Sequence, residues 1–198
     1  MGNFLESLPL WIYIIPYFLH IYSVKYLLNL SLSKKYNTQN LYDIIASNTT
    51  NLNKYSYLIN YLCMLFILPF IFQFKINYLI SFFKYYSLIL FIRAILTNVT
   101  VLPSCLSENC EDYKDYGWYK YINGHCNDKI FSGHVAKSII AVYLIYKNKL
   151  LSTPLMYCAY LLLFIISILI VMVRWHYTID VLIAYIISGL IICYAPNL

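Results

Sequence analysis

Apolar side chains run through this chain in six long stretches, separated by polar connections of unequal length. The stretches cover residues 8–28, 55–74, 78–97, 132–146, 154–173 and 178–194, most of them near the roughly 20 residues a helix needs to cross a bilayer. Continuous apolar runs of this kind predict helices, because a segment in lipid must satisfy its own backbone polar groups. A polar stretch, 29–54, follows the first run and contains one short amphipathic piece, Leu41-Tyr42-Asp43-Ile44-Ile45. The main polar loop, 98–130, follows the third. The first run starts too late and carries too little charge for a signal peptide, and no small-residue cleavage site follows it. No repeat or linker divides the chain. The pattern therefore predicts an all-α fold, a polytopic integral membrane helical bundle of about six transmembrane helices, forming a single domain over 1–198 without a sizeable soluble appendage.

Composition turns this pattern into a statement about solvent. Of the 198 residues, 62% are hydrophobic and 11% charged, against roughly 45–50% and about 25% in a soluble domain. A globule of this size cannot hide so much apolar side chain from water, so lipid is the expected partner. The net charge of +6 comes from scattered lysines, with no block longer than Lys34-Lys35, and predicts no nucleic-acid binding. The 23 tyrosines and 11 phenylalanines fit an AT-rich coding sequence and support no binding claim on their own. Cys63, Cys158 and Cys193 lie in apolar runs and are expected to be inert core residues. Cys105, Cys110 and Cys126 share the main loop, where two can pair if the loop faces an oxidising lumen. No spacing suggests zinc, and neither a metal nor a cofactor is expected.

Charge leaves the orientation open. With cytosolic termini, Lys75, Lys147 and Lys149 face the cytosol while Lys25, Lys34, Lys35 and Lys54 face the other side, which the positive-inside rule disfavours. The cysteine-bearing loop, its acidic cluster Glu108, Glu111, Asp112 and Asp115, and the Asn48-Thr49-Thr50 sequon suit a lumenal face.

Ionisable residues in or beside apolar spans are functional candidates, because placing them there is costly. They are Lys84, Arg93, His134, Lys137, Arg174, His176 and Asp180. In Arg174-Trp175-His176-Tyr177-Thr178-Ile179-Asp180, the two titratable groups lie four apart, a spacing that shares one face of a helix. Asp180 can then hold one imidazole nitrogen of His176 and leave the other free as nucleophile or base. Phe131-Ser132-Gly133-His134 opens the fourth run: Ser132 suits an N-cap, and Gly133 lets a phosphate approach the helix N-terminus beside His134. Either element alone also reads as an ordinary polar helix end. His20 and His125 are expected to be structural, and Lys84 interfacial.

Together, Cys126-Asn127-Asp128-Lys129-Ile130-Phe131-Ser132-Gly133-His134 and His176-Tyr177-Thr178-Ile179-Asp180 resemble the sphingomyelin synthase family, within the type 2 phosphatidic acid phosphatase superfamily. Arg93 in Leu90-Phe91-Ile92-Arg93, the following Thr100-Val101-Leu102-Pro103, and Leu41-Tyr42-Asp43 also resemble motifs of that family. The resemblance implies six spans, cytosolic termini and a lumenal or exoplasmic active site in the Golgi, endoplasmic reticulum or plasma membrane. It implies His176 as nucleophile oriented by Asp180, His134 as acid and base, Arg93 on the phosphate, and Asp128 beside His134 or substrate. Ser132, Gly133 and Lys137 complete the expected phosphate site. Three positions depart from the family: Trp175 stands where a glutamate is usual, Ser104 replaces a second proline, and Lys137 has no counterpart.

The expected function is transfer of a phospho-head group, phosphocholine foremost, from a glycerophospholipid to ceramide through a phosphohistidine, releasing diacylglycerol. A homo-oligomer is compatible with this reading. One alternative is a lipid phosphate phosphatase, against which stands the absence of that branch's Lys-to-Arg and Ser-Arg spacings. Another is a non-catalytic lipid-binding protein, against which stand the intact His134, His176 and Asp180. Aromatic residues Tyr113, Tyr116, Trp118, Tyr119, Tyr121, Trp175 and Tyr177 offer material for a choline cage.

Overall fold

The structure, a computed structural model, describes residues 5, 7–32, 41–73, 76–100, 102 and 130–198. Asp128, the loop cysteines, His125 and the loop aromatic residues lie outside them. Among the described residues the regular structure is entirely helical.

Each apolar run becomes helix, with breaks where the local chemistry requires them. The first forms a 3₁₀ turn, Leu10–Ile14, and then α1, Ile15–Leu32. Pro16 falls in the first turn of α1, where the missing N–H would have had no helical partner in any case. A four-residue helix α2, Ile44–Ser47, lies in the polar stretch. The second run divides into α3, Tyr57–Leu65, and α4, Leu68–Phe72. Pro69 accounts for that division, since it lacks an N–H and its ring collides with the carbonyl four residues back. Then come α5, Ile76–Val99, α6, Gly133–Lys147, α7, Thr153–Met172, and α8, Thr178–Tyr194. Among the described residues, α5 and α7 are the two helices long and apolar enough to cross a membrane.

Helix α6 is the centre of the packing: it lies against α5, α7 and α8 and buries residues on nearly all its faces. Helix α1 packs along α5, tied by Asn98 donating from Nδ2 to Ser23 Oγ at 2.6 Å and by Tyr17 stacked on Phe83 at 5.0 Å. The outer faces stay apolar, with Leu161, Phe164 and Ile168 of α7 and Leu182, Ile186 and Leu190 of α8 exposed. So wide an apolar exterior suits lipid rather than water. Cys63 is buried as expected, but Cys158 and Cys193 are exposed on those outer faces, contrary to their expected core placement. Among the described residues, no neighbouring helix covers those sides of α7 and α8.

Candidate active site

Helix α8 begins at Thr178 with Tyr177 as its N-cap, so His176 precedes the helix. The expected shared helical face is therefore corrected: a helix cap, not an i,i+4 stripe, brings the pair together. Asp180 stands at the third helical position, where a carboxylate reaches back to the cap backbone. Its Oδ2 accepts the Tyr177 N–H at 2.9 Å and lies 3.4 Å from His176 Nδ1. Both side chains are buried, and Asp180 Oδ1 has no hydrogen-bond partner among the described residues. The chain enters this cap through Arg174, whose φ of 61° is left-handed. The Arg174 guanidinium donates to Thr49 O at 2.8 Å, to Val171 O at 3.3 Å and to Thr49 Oγ1 at 3.4 Å.

The start of α6 lies beside this cap. Ser132 caps α6 by accepting the Val135 N–H at 3.4 Å, and its own N–H donates to Asp180 O at 3.3 Å. That bond joins the two helix starts that carry the two histidines. Gly133 is the first residue of α6, and the reason for glycine there differs from the expectation. A Cβ at this position would collide with Nη1 of Arg93 and lie 3.4 Å from its Cζ. The space belongs to the arginine, whose buried guanidinium rests over the glycine backbone. Any phosphate at this helix end therefore meets Arg93 as well as the free amides.

His134 is buried, with Nε2 at 3.0 Å from Asn60 Oδ1 on α3. A carboxamide oxygen only accepts, so His134 donates from Nε2 in this arrangement. The Trp175 ring packs against the imidazole, centroids 5.1 Å apart. Lys137, His176 and Arg93 all lie within electrostatic reach of His134. Lys137 is partly buried and also senses Cys63 and Arg93, so it faces the α3–α5 side that His134 faces.

A third segment closes the site from outside. Asp43 caps α2 by accepting the Ala46 N–H at 2.9 Å. It also accepts the Thr178 N–H at 2.6 Å and the Thr178 hydroxyl at 2.9 Å. Partial burial pushes its carboxyl upward, but the hydrogen bonds from Ala46 and Thr178 outweigh this and hold it below its ordinary value.

The structure thus gathers His134, His176, Asp180, Arg93, Ser132, Gly133 and Lys137 around two helix starts; Asp128 lies outside the described residues. Sequence reasoning missed Asn60, although it is one of only two carboxamides in that largely apolar run, the other being Gln73 near its end, and so carried a usable signal. Tyr86, 3.9 Å from the Cβ that Gly133 lacks, gave no such signal among so many tyrosines. His20 is buried within α1, away from these helix starts in sequence.

Comparison with known proteins adds one finding. Residues 125–197 match the family described as PAP2 superfamily C-terminal, a stretch that holds both histidines, Asp180 and the caps of α6 and α8. No curated protein and no solved structure matches the chain. Over this stretch, about a third of the chain, the sequence is similar to the C-terminal part of the type 2 phosphatidic acid phosphatase superfamily, whose membrane-associated enzymes carry out lipid phosphate hydrolysis or transfer.

Proposed function

We propose that the chain is a sphingomyelin synthase-like phosphotransferase that moves a phospho-head group, phosphocholine foremost, from a glycerophospholipid to ceramide. The observation that carries this reading is the meeting of His176–Asp180 with His134 at two joined helix starts, under the Arg93 guanidinium. Asp180 beside Nδ1 keeps that nitrogen protonated and leaves His176 Nε2 with its lone pair. Nε2 attacks the lipid phosphorus, and the bond to the diacylglycerol oxygen breaks. His134, entering this step as the imidazolium with its Nε2–H held by Asn60, gives that oxygen its Nδ1 proton and is left neutral. In the second half, His134 takes the proton of the ceramide primary hydroxyl, whose oxygen attacks phosphorus and displaces His176. Arg93, Lys137 and the amides at the start of α6 balance the phosphate charge throughout, acting where water is scarce. Asp128 belongs to this reading through the family resemblance alone.

In this reading the whole chain is one membrane domain of six spans with cytosolic termini, in the Golgi, endoplasmic reticulum or plasma membrane. The site then opens to the lumenal or exoplasmic side. The apolar exterior and the two long helices support the membrane part. The decisive experiment is expression in cells lacking the activity, supplied with fluorescent ceramide. A fluorescent phosphosphingolipid with equimolar diacylglycerol is expected. Release of free phosphate or phospho-head group without a labelled ceramide product would instead assign the hydrolase reaction of the same superfamily.

A further inference from the structure

The Leu41–Leu52 segment is fastened along the stretch that carries His176. Leu41 N–H donates to Tyr177 Oη at 3.2 Å, Asp43 takes both Thr178 donors, Arg174 holds Thr49 O, and Leu52 N–H donates to Met172 O at 3.0 Å. These bonds cross more than a hundred residues of sequence and bracket His176 on both sides. Thr178 N–H is the first donor of α8, which the helix itself cannot satisfy. Its acceptor is Asp43, not a residue of its own helix.

We infer that Asp43 is a positioning residue for the proposed phosphoryl transfer, holding the α8 start so that Asp180 stays aimed at His176. The inference rests on the reading of His176 and Asp180 above. The physical reason is a division of labour between two carboxylates at one helix end. Asp180 Oδ2 already serves the Tyr177 N–H and His176, while Asp180 Oδ1 is buried and open. Without Asp43, the orphaned Thr178 N–H has Asp180 Oδ1 as the open acceptor on its own turn. Turning toward it takes Oδ2 off the cap and off His176. Asp43 prevents this by accepting the Thr178 N–H itself. Asp43 touches no reacting atom, so it acts through Asp180.

The test uses the full chain reconstituted in vesicles of glycerophospholipid with fluorescent ceramide. Asp43→Ala should lower kcat roughly 10–100-fold, as small misplacements of a reacting group do, with the donor KM within about twofold. Asp43→Asn keeps one acceptor oxygen and should restore much of the loss. In an Asp180→Asn background, where the aim is already lost, Asp43→Ala should cost less than about twofold, since coupled residues are not additive. Should Asp43→Ala fail to fold, Thr178→Val removes only the hydroxyl bond and should lower kcat roughly threefold or more at unchanged melting temperature. Wild-type kcat in Asp43→Ala or folded Thr178→Val, a loss confined to KM, or full multiplication with Asp180→Asn would each overturn the inference. His176→Ala separates the two readings: inactive His176→Ala with active Asp43→Ala rejects the positioning role alone, whereas active His176→Ala rejects the mechanism on which it rests.

Discussion

Gly133 and Arg93 show how one missing side chain shapes the candidate site. The atom a Cβ would strike is the far end of a flexible arginine, which can swing aside, and alanine is the better helix former. Gly133→Ala is therefore expected to fold with a melting temperature near wild type, yet to lose most activity because the guanidinium leaves its place over the α6 start. A variant with full activity would show that the arginine works elsewhere. The three titratable residues are tested more directly. His176→Ala should abolish transfer, His134→Ala should nearly do so, and Asp180→Asn should cost on the order of 10⁴-fold if it acts as the carboxylate of a triad does. Single-turnover labelling with radioactive donor should trap phosphate on His134→Ala slowly and on His176→Ala not at all. Lys137 is expected to share the phosphate charge, so Lys137→Met should lower turnover substantially; an unchanged rate would leave it as an interfacial anchor.

At the scale of elements, short helices and their caps organise the site more than long spans do. Asp43 serves two helix starts at once, α2 through Ala46 and α8 through Thr178. Its carboxyl titrates below the ordinary value near 3.9. A depressed folded value means the stabilisation is complete above the unfolded value and lost as pH falls through the folded one. Denaturation of the solubilised chain should therefore show Asp43→Asn less stable than wild type at pH 6, the gap closing below about pH 4. A gap that does not narrow at all as pH falls below about 4 would mean that shape, not charge, holds these caps. The α3–α4 break is likewise local, placed by Pro69 rather than by any contact across the bundle.

For the whole molecule, the apolar exterior and the central α6 set where the site can face. The starts of α6 and α8 meet, while the α6 C-terminal end carries Lys147, bonded to Pro196 O near the far end of α8. The two ends of this helix pair thus separate the histidines from Lys147. If the six-span topology holds, a glycan on Asn48 and labels in the 98–130 loop should appear on one side and Lys147 on the other. Labelling of that loop from the cytosol would reverse the proposed orientation of the site. Cys158 and Cys193, exposed on apolar faces, should react with lipid-soluble maleimides and resist charged ones.

What the sequence determined by itself was whatever depends on local pattern. Runs of apolar residues become helix in lipid or core alike, so helices appear at all six runs. Ser132 as a cap and the His176–Asp180 pair were legible because their partners lie within a few positions. Tertiary structure decided what depends on distance across the chain. That Gly133 accommodates Arg93, 40 residues earlier, could not be read from either position. Nor could the bond of Asn60 to His134, or of Asp43 to Thr178, since spacing carries no signal across 74 or 135 residues. Even the His176–Asp180 pair changed its cause, because α8 starts after the histidine, at a cap where the Asp43 carboxylate accepts the Thr178 N–H. Helix formation is a short-range property of the chain, whereas the aim of a side chain is set by whichever neighbour supplies its hydrogen bond.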